Sequence, residues 1–509
     1  MATEIYLDGN ATSSVLPAAV EAATQAMEQG FGNPSSSHLA GQRAKAVLEA
    51  VRRRAARVLG SGDGRLMFNS GATEGIHTAV LSALAALRER RTDGQPIGRW
   101  LLCGATEHKA VPESLAHWNR LLGLDLEIIE LPVGRDGRHD LARLQSLAPD
   151  TALLCTMAAN NETGVVSDLA GIEAVLADTG SPAYWLVDCV QALGKLPLAL
   201  AATRIDYAPF SGHKLYAPKG IGMLYVRAGA PFTPLMVGGG QEAGWRSGTE
   251  NMAGVAALGA VLQALEAGGT FRSPQELAAF RDQLADSLRR AFPGLHFNAP
   301  FDKALPTTLN FSVPDVASAE LLGLFDAAGV RVSAGSACSS GRGQPSPVLA
   351  AMQLPAWCSA SAVRMSFGPL VDAATIRAAC DAITRCGAAL AARQPGEDHA
   401  IPDTAALGAF LRRHPDATLI DVREAHEHAA DGALQIGART AVNVPMTQGA
   451  EDASAWLAGG TGPLVFICRS GQRARLAAAS MRRRGHAQAW HLATGLVQQE
   501  ETESAAAAQ

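Results

Sequence analysis

The 509-residue chain reads as an α/β protein built on a mostly parallel sheet, followed by a smaller α/β module. Three observations predict this. From the start to roughly residue 390, short β-rich runs alternate with alanine- and leucine-rich helical stretches, the pattern of parallel strands joined by helical crossovers. The polar stretch Gln394-Pro395-Gly396-Glu397-Asp398-His399 follows an alanine-rich helical segment and carries a Pro-Gly breaker, which marks a boundary. Beyond it, residues 400 to about 498 repeat the same alternation on a smaller scale. The length alone asks for more than one core. The domains are accordingly expected at 1–393 and 403–499, with a linker at 394–402 and a disordered tail at 500–509.

Within the first domain, residues 186–188 form a strand ending in the carboxylate of Asp188, and residues 222–226 form another. Residues 258–265 belong to an apolar helix. In open α/β sheets ligands sit beyond the carboxyl ends of the strands, which places Asp188 in a site. In the second domain a helix covers 405–413 and strands cover 418–421 and 464–467. The latter strand runs into Cys468, and a helix over 473–484 follows at once. The chain holds no internal repeat.

Composition excludes several classes. Lys+Arg 43 against Asp+Glu 48 gives a formal charge of −5, with no long run of either sign, so neither nucleic acid nor an anionic membrane is an expected partner. The first residues lack a basic region followed by an apolar stretch, and no apolar run is long enough for a bilayer. A cytoplasmic protein is expected. The eight cysteines include no Cys-x-x-Cys pair, so neither a metal site nor a disulfide framework is expected. Cys103, Cys155, Cys189, Cys380 and Cys386 read as inert core thiols.

Lysine is scarce: Lys45, Lys109, Lys195, Lys214, Lys219 and Lys303 are all there are. An arginine can hold a phosphate, but only an amine can form a Schiff base at neutral pH. Lys214, in Ser211-Gly212-His213-Lys214, could be such an anchor, whereas Lys219 in Ala217-Pro218-Lys219-Gly220 reads as a turn or surface residue. Ser70-Gly71-Ala72-Thr73-Glu74 enters an apolar helix and suits a phosphate-binding helix N-terminus, although ordinary capping explains an isolated match. Thr106-Glu107-His108-Lys109 puts an imidazole near a strand end; Asn160-Asn161-Glu162-Thr163-Gly164 is a polar turn.

Taken in order, these pieces resemble the fold-type I pyridoxal-phosphate enzymes, and among them the cysteine desulfurases. The resemblance covers nearly all of residues 4–390. It also rests on Tyr6-Leu7-Asp8, Phe31-Gly32-Asn33-Pro34-Ser35, Arg246-Ser247-Gly248-Thr249, Gly335-Ser336-Ala337-Cys338 and Arg364-Met365-Ser366. It implies a large, mostly parallel-sheet domain with a small α/β domain, pyridoxal 5'-phosphate as cofactor, L-cysteine as substrate and a homodimer. By the same resemblance Lys214 carries the Schiff base and then moves protons at the substrate α-carbon, His108 stacks on the ring, and Asp188 partners the pyridine nitrogen. Gln191 would bond the cofactor hydroxyl, and Gly71, Ala72, Thr73, Ser211 and His213 would hold the phosphate, joined by Thr249 from the neighbouring subunit. Arg364 would clamp the substrate carboxylate with Asn161, which also borders the cofactor, and with Asn33.

The small-residue run Ser333-Ala334-Gly335-Ser336-Ala337-Cys338-Ser339-Ser340-Gly341-Arg342-Gly343 predicts a mobile loop with one thiol. It matches the nucleophile loop of the desulfurases, and its length resembles the group serving iron-sulfur assembly and transfer-RNA thiolation. In the second domain, Cys468-Arg469-Ser470-Gly471-Gln472-Arg473 between strand and helix, with Ile420-Asp421-Val422-Arg423-Glu424 and Asn443-Val444-Pro445 upstream, resembles a rhodanese-like domain. A helix N-terminus there would favour the Cys468 thiolate. The resemblance gives chemical roles to Cys468 and Arg473 and a framework role to Asp421 and Arg423. Leu434-Gln435-Ile436 lacks the histidine usual in that family, and Gly495-Leu496-Val497-Gln498 lacks the usual tryptophan.

The expected activity is conversion of L-cysteine to L-alanine, with sulfur taken by Cys338 and relayed to Cys468 for sulfur-acceptor proteins such as an iron-sulfur scaffold or a sulfur carrier. Two alternatives stand beside it: a selenocysteine lyase, and a desulfurase whose second module only docks partners.

Overall fold

The computed structural model describes residues 4–334, 346–392, 399–457, 462–469 and 471–496. Cys338, Ser470, residues 394–398 of the expected linker and the expected tail lie outside them.

The alternation in the first domain folds into a seven-stranded sheet. Its spatial order is Arg65–Asn69, Gly222–Val226, Tyr207–Ser211, Tyr184–Asp188, Thr151–Met157, Trp100–Gly104 and Glu127–Leu131. All neighbours pair in parallel except Gly222–Val226, which is antiparallel to both of its partners. The central strands are buried along their whole length, as in a sheet covered on both faces. One face packs on Ala72–Thr92 and Ala110–Leu121, the other on Leu39–Leu59 and Met252–Ala267.

A second, smaller unit holds the antiparallel sheet Ser333–Ala334, Val363–Ser366, Thr308–Ser312 and His296–Phe297. Helices Pro274–Ala291, Ser318–Ala327 and Ala373–Ala391 share its core. The N-terminal strand Ile5–Tyr6 pairs with Val330–Arg331, so the first residues of the chain are built into this unit. They thereby carry Asp8 and Asn10 to the cleft beside the large sheet.

The C-terminal module is a five-stranded parallel sheet in the order Ala400–Ile401, Ala489–Leu492, Leu464–Ile467, Thr418–Asp421 and Val442–Asn443. Its first strand falls within the expected linker, so the sheet takes in residues before 403. Helix Thr404–Arg413 and helix Gln472–Arg483 cover it. Among the described residues no helix is long and apolar enough to cross a membrane. One core assignment needs correction: Cys380 is partly exposed, because it lies on the outer flank of helix Ala373–Ala391, while Cys103, Cys155, Cys189 and Cys386 are buried.

Candidate active site

The carboxyl ends of the large sheet supply the site one strand at a time. Asp188 ends Tyr184–Asp188, Ser211 ends Tyr207–Ser211, and the following 3₁₀ turn Gly212–Lys214 lifts Lys214 over the sheet edge. His108 follows Trp100–Gly104, and Asn161 follows Thr151–Met157. The 21-residue helix Ala72–Thr92 points its N-terminus at the same space. Together these residues line a cavity of about 450 Å³ with Asn10, Gly71, Ala72, Thr73, Gln191, His213 and Arg364.

Lys214 is held by two carbonyls: its Nζ donates to Asn10 O and Ala11 O, each at 2.8 Å. Burial raises the Asp188 carboxyl above its usual range, against the Val190 amide, which donates to Oδ1 at 2.9 Å, and against His108 and Lys214. Burial lowers His108 below the ordinary imidazole range, Asp188 opposing and Lys214 and Lys109 reinforcing, so the ring is neutral near pH 7. His213 is lowered to about 4 by burial and by Lys214 and Lys219. Its Nδ1 lies 3.1 Å from Thr12 Oγ1.

Arg364 is 1% exposed. Its guanidinium pairs with Asp8 and donates to Asn161 O at 3.1 Å, which fixes its plane, and its Nε is buried without a hydrogen bond. Behind it, Asn10 is the connector that the sequence did not single out. Its amide donates to Thr308 Oγ1 at 2.9 Å and to Asn161 O at 3.2 Å, and its carbonyl also accepts from Gln191 Nε2 at 3.1 Å. Lys195 is the second omission: half-buried, it donates to Gln191 Oε1 at 2.6 Å and to Asn10 Oδ1 at 3.3 Å. Only its place in the lysine inventory could have drawn attention to it. Lys219 is exposed, as expected of a turn, yet reaches the mouth of the cavity.

Two expected residues stand apart. Thr249 lines, with Arg246 and Gly248, a hollow that adjoins the cavity and shares Ser70 and Gly220 with it. Asn33 is exposed, and its Oδ1 accepts the Ser35 amide at 2.9 Å.

The donor set fits pyridoxal phosphate. A phosphate finds a helix N-terminus opened by Gly71, whose φ of 150° leaves no side chain in the way, with Thr73, Ser211 and His213 around it. The Asp188 carboxyl, buried at a strand end with the Val190 amide donating to it, would gain a cationic partner from a protonated pyridine nitrogen.

In the C-terminal module Cys468 is fully buried beyond strand Leu464–Ile467, and its Sγ accepts the Ala474 amide at 3.5 Å. Arg473 reaches Glu427 at 2.5 and 2.8 Å, and that pairing holds the Glu427 carboxyl down at about 2. Asp421 and Arg423 form a buried ion pair with contacts of 2.8 to 3.0 Å, and Asn443 Nδ2 ties both backbones at 3.0 and 2.9 Å.

Comparison with known proteins agrees with this division. Residues 5–378 match the aminotransferase class-V model and residues 406–501 the rhodanese-like domain. A cysteine desulfurase of Cereibacter sphaeroides is 37% identical over 375 residues, which is 73% of this chain and 92% of the relative. The cysteine desulfurase NifS of Azotobacter vinelandii is 36% identical over 71% of this chain and 87% of its own. The NifS-like protein of Rickettsia africae superposes with a TM-score of 0.63 at 27% identity, over 75% of this chain and 99% of its own. The chain therefore belongs to the cysteine desulfurases of the class-V aminotransferase family, enzymes that use pyridoxal phosphate, and joins to that enzyme a C-terminal rhodanese-like domain.

Proposed function

We propose that this desulfurase takes sulfur from L-cysteine onto Cys338 and relays it to Cys468, from which sulfur-acceptor proteins draw it. The convergence of Lys214, His108, Asp188 and Arg364 in one cavity carries the first half. Bound pyridoxal phosphate supplies an electron sink for the pair released at the substrate carbon. Arg364, oriented by Asp8 and Asn161, holds the substrate carboxylate, and the family resemblance assigns Asn33 as a further contact. Lys214 would be the amine that anchors the cofactor and that moves the proton at the substrate α-carbon. His108, whose imidazole burial lowers, would stack on the cofactor ring and could pass a proton. Asp188 would partner the ring nitrogen, Gln191 would donate to the ring hydroxyl, and Gly71, Ala72, Thr73, Ser211 and His213 would hold the phosphate.

The Cys338 thiolate attacks the substrate sulfur. The carbon–sulfur bond breaks, a Cys338 persulfide forms, and the carbon takes up protons to leave as L-alanine. No outside oxidant is needed.

The relay is supported by Cys468, which stands at a strand end with its Sγ accepting the Ala474 amide of the following helix. Arg473 flanks it. One observation favours a module that only docks partners: Cys468 is fully buried and Arg473 is engaged by Glu427. Feeding labelled cysteine decides between them. The relay predicts label on Cys468 only while Cys338 is intact; a Cys468→Ser variant that delivers sulfur at the wild-type rate would leave the docking role alone.

The homodimer reading is supported by Met27, Phe31, Leu39 and Val237, which are 60 to 80% exposed. The acceptors we propose are an iron-sulfur scaffold or a sulfur carrier, in the cytoplasm. The working domain limits remain 1–393 and 403–499, with the two residues of strand Ala400–Ile401 added to the second.

A further inference from the structure

Helix Gln472–Arg483 has two apolar faces. Ala474, Ala477, Ala478 and Met481 follow helical spacing and are buried in the core of their own module. Leu476 lies on the opposite side among arginines, where a lone surface helix would carry a polar residue. It is half-buried because it packs on helix Ser318–Ala327 of the desulfurase. A Cβ built at Gly323 of that helix would meet Leu476 Cδ1 at 3.4 Å. Arg475 stands 3.8 Å from Glu320, one turn earlier. Leu321 and Phe325 of the same helix face the other way, into the small unit. The 3.4 Å at Gly323 is ordinary van der Waals contact, so the Leu476 side chain and the Gly323 face of the two helices touch.

The position of this contact matters more than its size. Helix Ser318–Ala327 leads through Val330–Arg331 and Ser333–Ala334 to the segment that holds Cys338. Ala334 pairs with Val363, and the Ser318 hydroxyl donates to the carbonyl of the preceding Ala362 at 2.7 Å. The start of the helix and the end of the strand therefore meet on one edge. Glu320 and Gly323 lie in the first two turns from that edge. On the other side, the docked helix begins four residues after Cys468.

We infer that this face, Leu476 on Gly323 with Arg475 beside Glu320, docks the rhodanese-like module on its own chain, so that Cys468 takes sulfur from Cys338 within one chain. The inference rests on the relay proposed above. The Cys468 thiolate attacks the terminal sulfur of the Cys338 persulfide, a new sulfur–sulfur bond forms, and the old one breaks with its electron pair leaving on the Cys338 thiolate. One sulfur moves and nothing is oxidised or reduced overall. Docking in one chain raises the effective concentration of the acceptor without any new contact at the thiols.

The test uses the full-length, cofactor-loaded chain with labelled cysteine, reading persulfide on Cys468 by peptide mass spectrometry and alanine by chromatography. Wild type is compared with an equimolar mixture of Cys338→Ser and Cys468→Ser chains, with Leu476→Glu, and with Glu320→Arg alone and combined with Arg475→Glu. The mixture is expected to label Cys468 at least tenfold more slowly than wild type. Leu476→Glu and Glu320→Arg should slow labelling at least fivefold with alanine release kept within twofold, and Arg475→Glu should restore the Glu320→Arg chain, an effect that misfolding would not produce. A mixture as fast as wild type, or wild-type labelling in both interface variants, overturns the intrachain route while the relay stands. Absence of label on Cys468 in wild type overturns the relay and the docking role together.

Discussion

Lys195 shows how a residue outside the reacting groups can govern them. Its ammonium holds Gln191 Oε1, so the donor end of that amide faces Asn10 O, which also accepts from Lys214. Removing one such hydrogen bond costs about 1 kcal/mol, so Lys195→Met should weaken pyridoxal-phosphate binding about fivefold. Equilibrium dialysis of the folded variant checks this. Burial, with Lys214 and Arg364 nearby, lowers the Lys195 amine to about 7 from an ordinary value near 10.5. The folded state thus prefers the neutral amine, and its cost is greatest below about pH 7 and relieved as pH rises towards the unfolded value. Urea unfolding at pH 6 and pH 9 should therefore show wild type gaining stability relative to Lys195→Met at the higher pH.

At the scale of elements, two junctions carry the chemistry. The strand-to-helix turn before Ala72–Thr92 needs Gly71 at a φ of 150°, a conformation closed to other residues without strain. Gly71→Ala should cost about 1–3 kcal/mol in urea unfolding and lower cofactor affinity with it. In the second module, strand Thr418–Asp421 ends in the fully buried carboxylate that anchors Arg423. Asp421→Ala leaves that buried guanidinium with Asp431 and the Gly432 carbonyl alone, a loss of about 3 kcal/mol. Calorimetry should show it in the module's own transition, with alanine formation by the desulfurase retained.

For the whole molecule, the proposed homodimer in which Thr249 reaches the neighbouring subunit's site makes a specific demand on assembly. A Thr249→Ala chain should bind pyridoxal phosphate weakly, and a Lys214→Ala chain should lack the Schiff-base absorbance. In a mixed dimer, one site has both an intact Lys214 and an intact Thr249 from the partner. Tight cofactor binding and absorbance should return to half of the sites. No recovery in an isolated mixed dimer would show that Thr249 serves its own chain.

The sequence by itself determined the chemistry: Lys214 next to His213, the carboxylate of Asp188 at a strand end and the order of short polar motifs are local, and local patterns are read along the chain. The strands at 222–226, 418–421 and 464–467 were legible for the same reason, since a buried strand is a short apolar run. Tertiary structure alone decided what lies between distant segments. Asn10 and Asp8 enter the site because the N-terminal strand pairs with Val330–Arg331, more than 300 residues away. Lys195 matters through an amide it meets in space, Glu427 through an arginine 46 residues on, and Leu476 through a glycine in another unit. Burial and long-range pairing set those roles, and neither has a periodicity that a sequence can display.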